Sequence, residues 1–123
     1  IIAPANKMIR IKRMRASGEA TASTVMRTIM QRSTGGTTPG GALTPEKANT
    51  SDPAASTVID TTWATQPTLS GSPHYNEGWN AFGGGFDLTL DGRELYLVNA
   101  EQVSIRADVG VGPMNLDVEF EEL

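Results

Sequence analysis

The chain has 123 residues, with 13 glycines, 7 prolines, one histidine, no cysteine, 38% apolar residues and a formal charge of −4. That length fits one domain, and the low apolar share beside dense Gly, Ser and Thr predicts a thin core with long solvated connections. Without cysteine there are no disulfides and no thiolate metal sites, and no run approaches the roughly 18 apolar residues of a membrane-spanning helix.

The charge is divided unevenly. Residues 1–32 hold seven basic residues (Lys7, Arg10, Lys12, Arg13, Arg15, Arg27 and Arg32) against one acid, Glu19, a net of +6. The remainder holds three basic and thirteen acidic residues, a net of −10.

Residues 1–6 begin Ile1-Ile2-Ala3-Pro4 and are expected to form a free N-terminal arm; they lack the basic stretch and long apolar run of a signal peptide. Lys7–Ala16 reads as a first strand with Ile9 and Ile11 on one face. Met14 is out of phase with them, which predicts a bulge near Lys12-Arg13. After a turn at Ser17-Gly18-Glu19, Ser23–Arg32 is the second strand, with Met26, Thr28 and Met30 on one side and Val25 and Ile29 on the other. Val25, Ile29 and Arg32 also fit a helical face, but threonine and β-branched residues favour the strand.

Residues 33–56 lose periodicity and read as a long loop of the kind ordered by a partner. Thr57–Thr65 restores a pattern, with Ile59 and Trp63 sharing a face. Tyr75–Phe82 follows, with Tyr75, Glu77, Trp79 and Ala81 on one side. Gly83-Gly84-Gly85 is a pivot. Phe86–Leu90 alternates, Asp91-Gly92 predicts a two-residue hairpin, and Glu94–Asn99 is its return strand. Gln102–Asp108 turns Val103, Ile105 and Ala107 inward. Met114–Glu121 alternates strictly to the end of the chain.

Residues 7–123 are therefore expected to form one all-β domain, an antiparallel β-sandwich of about eight strands, jelly-roll-like, with 33–56 as its long loop. The charge division predicts topology too. Arg10, Lys12 and Arg15 of the first strand meet Asp117, Glu119 and Glu121 of the last if the two strands lie side by side.

No pattern of residues calls for catalysis. The basic cluster Lys7, Arg10, Lys12, Arg13 and Arg15 has no interleaved aromatics for base stacking, so cross-strand neutralisation or docking on an acidic protein surface is the better reading than nucleic-acid binding. His74 has no second ligand at fixed spacing. Glu77, Asp87, Asp91 and Glu94 offer carboxylates for glycoside hydrolysis, but the turn explains Asp91 and a solvent-facing strand position explains Glu94. Trp63, Tyr75 and Trp79 suit a sugar-stacking platform or a core. Trp63 and Phe120 read as core, and Trp79, beside Gly78 and the triglycine, as an interface residue. The triglycine precedes no helix, so it is not a dinucleotide fingerprint.

Three stretches carry a resemblance: Ser70-Gly71-Ser72-Pro73 through Trp79-Asn80-Ala81-Phe82-Gly83-Gly84-Gly85, then Asp91-Gly92-Arg93-Glu94-Leu95-Tyr96-Leu97-Val98-Asn99, and the closing Val118-Glu119-Phe120-Glu121. In these the chain resembles small β-sandwich virion proteins of tailed bacteriophages, of the head decoration or cement type, from residue 7 onward. The resemblance implies a homotrimeric module on the outside of a capsid, bracing the major capsid protein, made in the host cytoplasm, with no catalytic residue, cofactor or metal and no nucleic-acid, membrane or small-molecule partner. The partner-binding candidates are Ile1, Ile2 and Pro4 of the arm, Arg13, Thr37, Thr38 and Leu43 of the loop, and Trp79. The alternative is a carbohydrate- or receptor-binding module of a phage tail or surface, using Trp79 and Tyr75.

Overall fold

The computed structural model describes residues 1–110 and 112–123, except for the side chains of 37–39. Among the described residues there is no helix. The strands are β1 (Met8–Gly18), β2 (Val25–Thr34), β3 (Thr37–Pro39), β4 (Ala42–Leu43), β5 (Ile59–Asp60), β6 (Trp63–Thr65), β7 (Thr68–Leu69), β8 (Tyr75–Asn80), β9 (Gly85–Thr89), β10 (Leu95–Val98), β11 (Gln102–Val109) and β12 (Met114–Glu122). Two antiparallel sheets pack face to face. In sheet I, β1 is central, with β12 along one edge and β9 and β10 end to end along the other. In sheet II, β2 is central, between β11 and the pair β8 and β7.

The inward residues are those the alternation selects. Ile9, Ile11, Met14, Leu95 and Leu97 of sheet I meet Met30 and Val103 of sheet II in the main core, with Leu90 between them. A second cluster, Ala16, Met26, Trp79 and Ala81, fills the other end. Each fully buried aliphatic side chain contributes roughly 1.5–3 kcal/mol by leaving water, so β1 and β2 supply most of the stabilising burial.

The first and last strands do pair. Arg10 lies opposite Glu121, Arg13 opposite Glu119 and Arg15 opposite Asp117, and the register slips between Ile11 and Arg13, where the phase change in the sequence called for a bulge. The extra residue lets Ile11 and Met14 both face the core.

The expected Asp91-Gly92 hairpin is not one. β9 and β10 both run antiparallel to β1 and hence in the same direction, so they are two segments of a single edge. A type I′ hairpin needs positive φ at both central residues. Gly92 has φ 75, but Asp91 is absent from the left-handed region. The turn, closed by the Arg93 N–H on the Leu90 carbonyl at 2.7 Å, only steps the edge outward and returns it. The left-handed pair is instead Asn99 (φ 50) and Ala100 (φ 65), which takes the chain from sheet I to sheet II.

Candidate partner-binding surface

The segment expected to be a structureless loop is half of a β-ribbon. β2 pairs with β7 as Ser33–Leu69 and Thr34–Thr68, β3 with β6 as Thr37–Thr65 and Pro39–Trp63, and β4 with β5 as Ala42–Asp60 and Leu43–Ile59. The residue numbers of every pair add to the same total, so 33–43 and 59–69 form one antiparallel ladder without a slip. At about 3.3 Å per residue the ribbon is roughly 35 Å long. It is interrupted at Gly35 (φ 69) and Gly36 (φ 95), across from Pro67, which has no N–H to give a ladder. Trp63 folds over that interruption; a Cβ on Gly36 would lie 2.6 Å from its ring. Trp63 is thus a half-buried ribbon residue rather than the expected core anchor.

Beyond its base, where Ser33 and Pro67 are buried, the described side chains of the ribbon are exposed or half-buried. Leu43 is 54% exposed and Val58 48%. The side chains of Thr37 and Thr38 lie outside the described residues. Residues 44–58 form the tip, and its returning limb is held by the sandwich at two points. Ile2 and Val58 exchange backbone hydrogen bonds of 2.9 and 3.2 Å. The other point is Glu122.

Glu122 sits opposite Ile9 in the β1–β12 ladder, on the side of the sheet where its odd-numbered acidic neighbours do not point. An acid there needs partners. The backbone N–H groups of Ser56 and Thr57 donate to it at 2.9 Å, the Ser56 hydroxyl at 2.8 Å and the Thr57 hydroxyl at 2.7 Å, and Lys7 forms an ion pair with it. Its side chain is 9% exposed. Burial alone would raise its pKa, but the Lys7, Thr57 and Ser56 hydrogen bonds together outweigh that and lower it to about 2.

The expected free arm is docked. Ile1 packs on the main core, Ala3 is buried within it, and Ile2 lies between Val58 and Gln102. The Ile1 carbonyl accepts from the Val103 N–H at 2.9 Å and the Ala3 N–H donates to Glu101 at 2.9 Å. Pro4 is half-buried behind them. The segment has apolar side chains to bury and an open β11 edge to pair with, which is why it is not free.

Arg13 is committed within the chain. Its Nε donates to Asp87 at 2.7 Å, and Glu119 lies 3.6 Å from its guanidinium. Arg15 reaches Asp117 at 2.9 Å, Lys12 reaches Glu121 at 2.9 Å, and Arg10 pairs with Glu121 as well. The outer face of sheet I is therefore an ionic ladder that neutralises the basic cluster. The Arg13 hydrogen bond holds the Asp87 carboxyl below its ordinary pKa, and Lys12 followed by Arg10 does the same for Glu121.

Trp79 is buried, contrary to the expectation that it lines an interface. Its pairing with Met26 places it on the inner face of sheet II, where its indole N–H donates to the buried Thr28 hydroxyl at 2.9 Å and its ring meets Phe86 edge to face. The hydroxyl of Tyr75 is tied to the Arg93 carbonyl at 2.6 Å. No open platform joins the two rings. His74 is exposed and stacks edge to face on Tyr75.

The exposed apolar groups lie elsewhere. Val25 is 71% exposed, Phe82 58% and Val109 42%. Val25 and Arg27 point away from buried Met26, Val109 sits opposite Arg27, and Phe82 lies two residues beyond Asn80, the partner of Val25. All three therefore fall at the same end of sheet II. A shallow groove of about 450 Å³ lies at the corresponding end of sheet I, lined by Arg15, Ser17, Phe86, Asn115 and Asp117.

Of the sequence-based candidates, only Leu43 combines a described side chain with wide exposure. Ile2 and Leu43 are joined through the ribbon limb that ends at Val58, whereas Arg13 and Trp79 lie apart from them. Glu122, Val58, Val25 and Phe82 were not singled out from sequence. Glu122 had a signal, since the final Glu121-Glu122 breaks the alternation and puts one acid on the apolar side. Compared with known proteins, the chain matches no family model, no curated protein and no solved structure.

Proposed function

We propose that this chain is a structural binding module of a virion shell, a capsid decoration protein that braces neighbouring subunits and works as a homotrimer. The observation that carries the reading is the ribbon: about 35 Å of paired chain whose described side chains beyond its base are exposed or half-buried, with Leu43 and Val58 open to solvent. A two-stranded ribbon is marginal in water by itself, so one kept in extended register is suited to reaching a neighbour. The apolar end formed by Val25, Phe82 and Val109 gives the module a second contact, against the shell. Two weak contacts repeated over many copies strengthen a shell by multivalency rather than by single-site affinity.

Carbohydrate binding is less well supported, because Trp79 is in the core and Tyr75 is half-buried. The test is addition of the purified protein to icosahedral shells that lack a decoration layer. Co-sedimentation at a fixed stoichiometry is expected, together with a raised disruption temperature at low salt, and Phe82→Ser should weaken both. Shells that fail to bind the protein, or that break at the same temperature with it, would overturn the assignment.

A further inference from the structure

The clasp that holds the ribbon tip is made by residues far from the ribbon in sequence, and its occupant is a segment of this same chain. We propose that the ribbon is an exchangeable arm: the Ile2–Glu122 clasp of one copy receives the 56–58 segment of a second copy, linking neighbours by strand exchange. The inference uses the proposed function only in taking copies to lie side by side, and its test needs no shell.

The occupant follows from the chemistry of the site. Glu122 is arranged to take two backbone N–H groups and two hydroxyls in sequence, which Ser56-Thr57 supplies, and Ile2 offers one hydrogen-bonded pairing position, which Val58 fills. A second copy presents the same groups with the same geometry, so exchange replaces every bond it breaks. This is the condition under which swapping an element between protomers has a low cost.

The connection also permits it. Between the sandwich and the clasp, the ribbon touches the rest of the chain mainly at its own base on β2. Near that base are Gly35 and Gly36, both at positive φ, opposite Gln66-Pro67 where the ladder is interrupted. Glycines in that conformation change direction without a Cβ clash, and beyond buried Pro67 at the base the described ribbon side chains are at most half-buried. In exchange Leu43 and Val58, exposed in a single copy, come to lie between two sandwiches.

Exchange competes with docking in cis, where a tether of this length gives an effective concentration in the millimolar range. It should therefore be visible near 1 mM in solution (roughly that range), and on any surface that packs copies as densely.

The absence of cysteine makes the test direct. Ile2 and Val58 form a hydrogen-bonded antiparallel pair, for which Cα atoms lie about 5.5 Å apart, within the range a disulfide spans. One preparation carries Ile2→Cys and another Val58→Cys; a bond between them joins two chains by construction. Mixed near 1 mM (about the effective concentration of the tether) and oxidised slowly, they should give the heterodisulfide well above the share set by random pairing of the two thiols, which by itself is twice that of either homodisulfide. A heterodisulfide at or below that random share overturns the proposal.

If either cysteine variant fails to fold, light scattering on the unmodified chain decides. Its mass should rise above that of a monomer as the concentration approaches about 1 mM, and a chain whose residues 44–57 are replaced by a two-residue turn should stay monomeric. A monomeric mass for the unmodified chain, or an oligomer that survives loss of the tip, overturns the proposal as well. Neither result depends on whether shells bind the protein.

Discussion

β1 and the ribbon are both long, antiparallel and lined with polar side chains, yet they hold their places by different means. β1 has polar groups on one face only. Its other face buries Ile9, Ile11 and Met14 completely, and its arginines meet the carboxylates of β12 and β9 across the sheet. The apolar side chains of the ribbon, Ile59, Trp63 and Leu69, are only half-buried, and Leu43 is exposed. It keeps its register through backbone pairing, the stacking of Trp63 over Gly36, and a polar clasp at one end. One strand is fixed by what it excludes from water, and the other by a few hydrogen bonds that a neighbour can also supply.

The strongest way to break that contrast is to shorten side chains in each region. Met14→Ala and Ile11→Ala remove fully buried groups and should each lower the unfolding free energy by about 2–5 kcal/mol in denaturant titrations. Leu43→Ala should stay within about 0.5 kcal/mol of the parent, as exposed positions do. A Leu43→Ala chain destabilised as much as Met14→Ala would mean that the ribbon has a packed face, and the contrast would fall.

Glu122→Gln tests the clasp next. A hydrogen bond to a charged group contributes roughly 1.5–3 kcal/mol, and the substituted amide keeps the shape of the carboxylate while losing its charge. The amides of Thr57 and Val58 should exchange with solvent much faster, while those of β1 and β2 keep their rates. The pH dependence follows from the sign of the shift. The folded pKa of Glu122, about 2, lies below its ordinary 4.5, so its contribution is full above pH 4.5 and is lost as the pH falls through about 2. The lowered pKa values of Asp87, Glu101, Asp108 and Glu121 act in the same direction. The chain should therefore unfold with acid, and Glu122→Gln should flatten part of that curve. An unchanged acid profile would remove Glu122 from the account.

These two regions also differ in how far they could be read from sequence. β1 and β12 were legible because burial imposes a period of two and opposite charges mark the partners; even the bulge was visible in the phase of Met14. The outgoing limb of the ribbon was not, because Thr, Gly and Pro over 33–43 carry no periodicity, whereas Ile59 and Trp63 marked strand in the returning limb, where β5 and β6 lie. Pairing there depends on the constant register between 33–43 and 59–69, a non-local property. Asp91-Gly92 misled for a local reason: the dipeptide favours a hairpin only when both residues are left-handed, and Asp91 is not. Trp79 was placed at an interface because glycines flank it, although its phase with Tyr75 and Glu77 put it on the inner face of sheet II, which sheet I covers.

The ionic ladder of sheet I gives a smaller effect. Arg15→Glu would set a third acid beside Asp117 and Glu119, which now lie 2.9 and 3.8 Å from the Arg15 guanidinium. The denaturation midpoint should fall at low salt by less than for Met14→Ala. It should recover in part near 1 M salt, where the screening length shrinks to about 3 Å. The clasp variant Glu122→Gln, whose site is 9% exposed, should recover much less. Equal salt rescue of both would erase the distinction between an open ladder and a sheltered clasp.

The smallest effect is expected to be a gain. Ala100 holds φ 65 in the turn that joins the two sheets, where Glu101 donates its N–H to the Val98 carbonyl at 2.9 Å and its carboxylate accepts from the Val98 N–H and from Arg32, each at 2.9 Å. A left-handed conformation costs an L-residue roughly 1–2 kcal/mol, and glycine avoids that while losing about 0.5–1 kcal/mol more to chain entropy. Ala100→Gly should thus stabilise the sandwich by about 0.5 kcal/mol, the difference between those two costs, and leave clasp exchange at Thr57 and Val58 unchanged, because the turn belongs to the packed region and not to the ribbon. A loss of stability would show that the Arg32–Glu101 contacts, rather than the backbone preference of residue 100, hold this crossing in place.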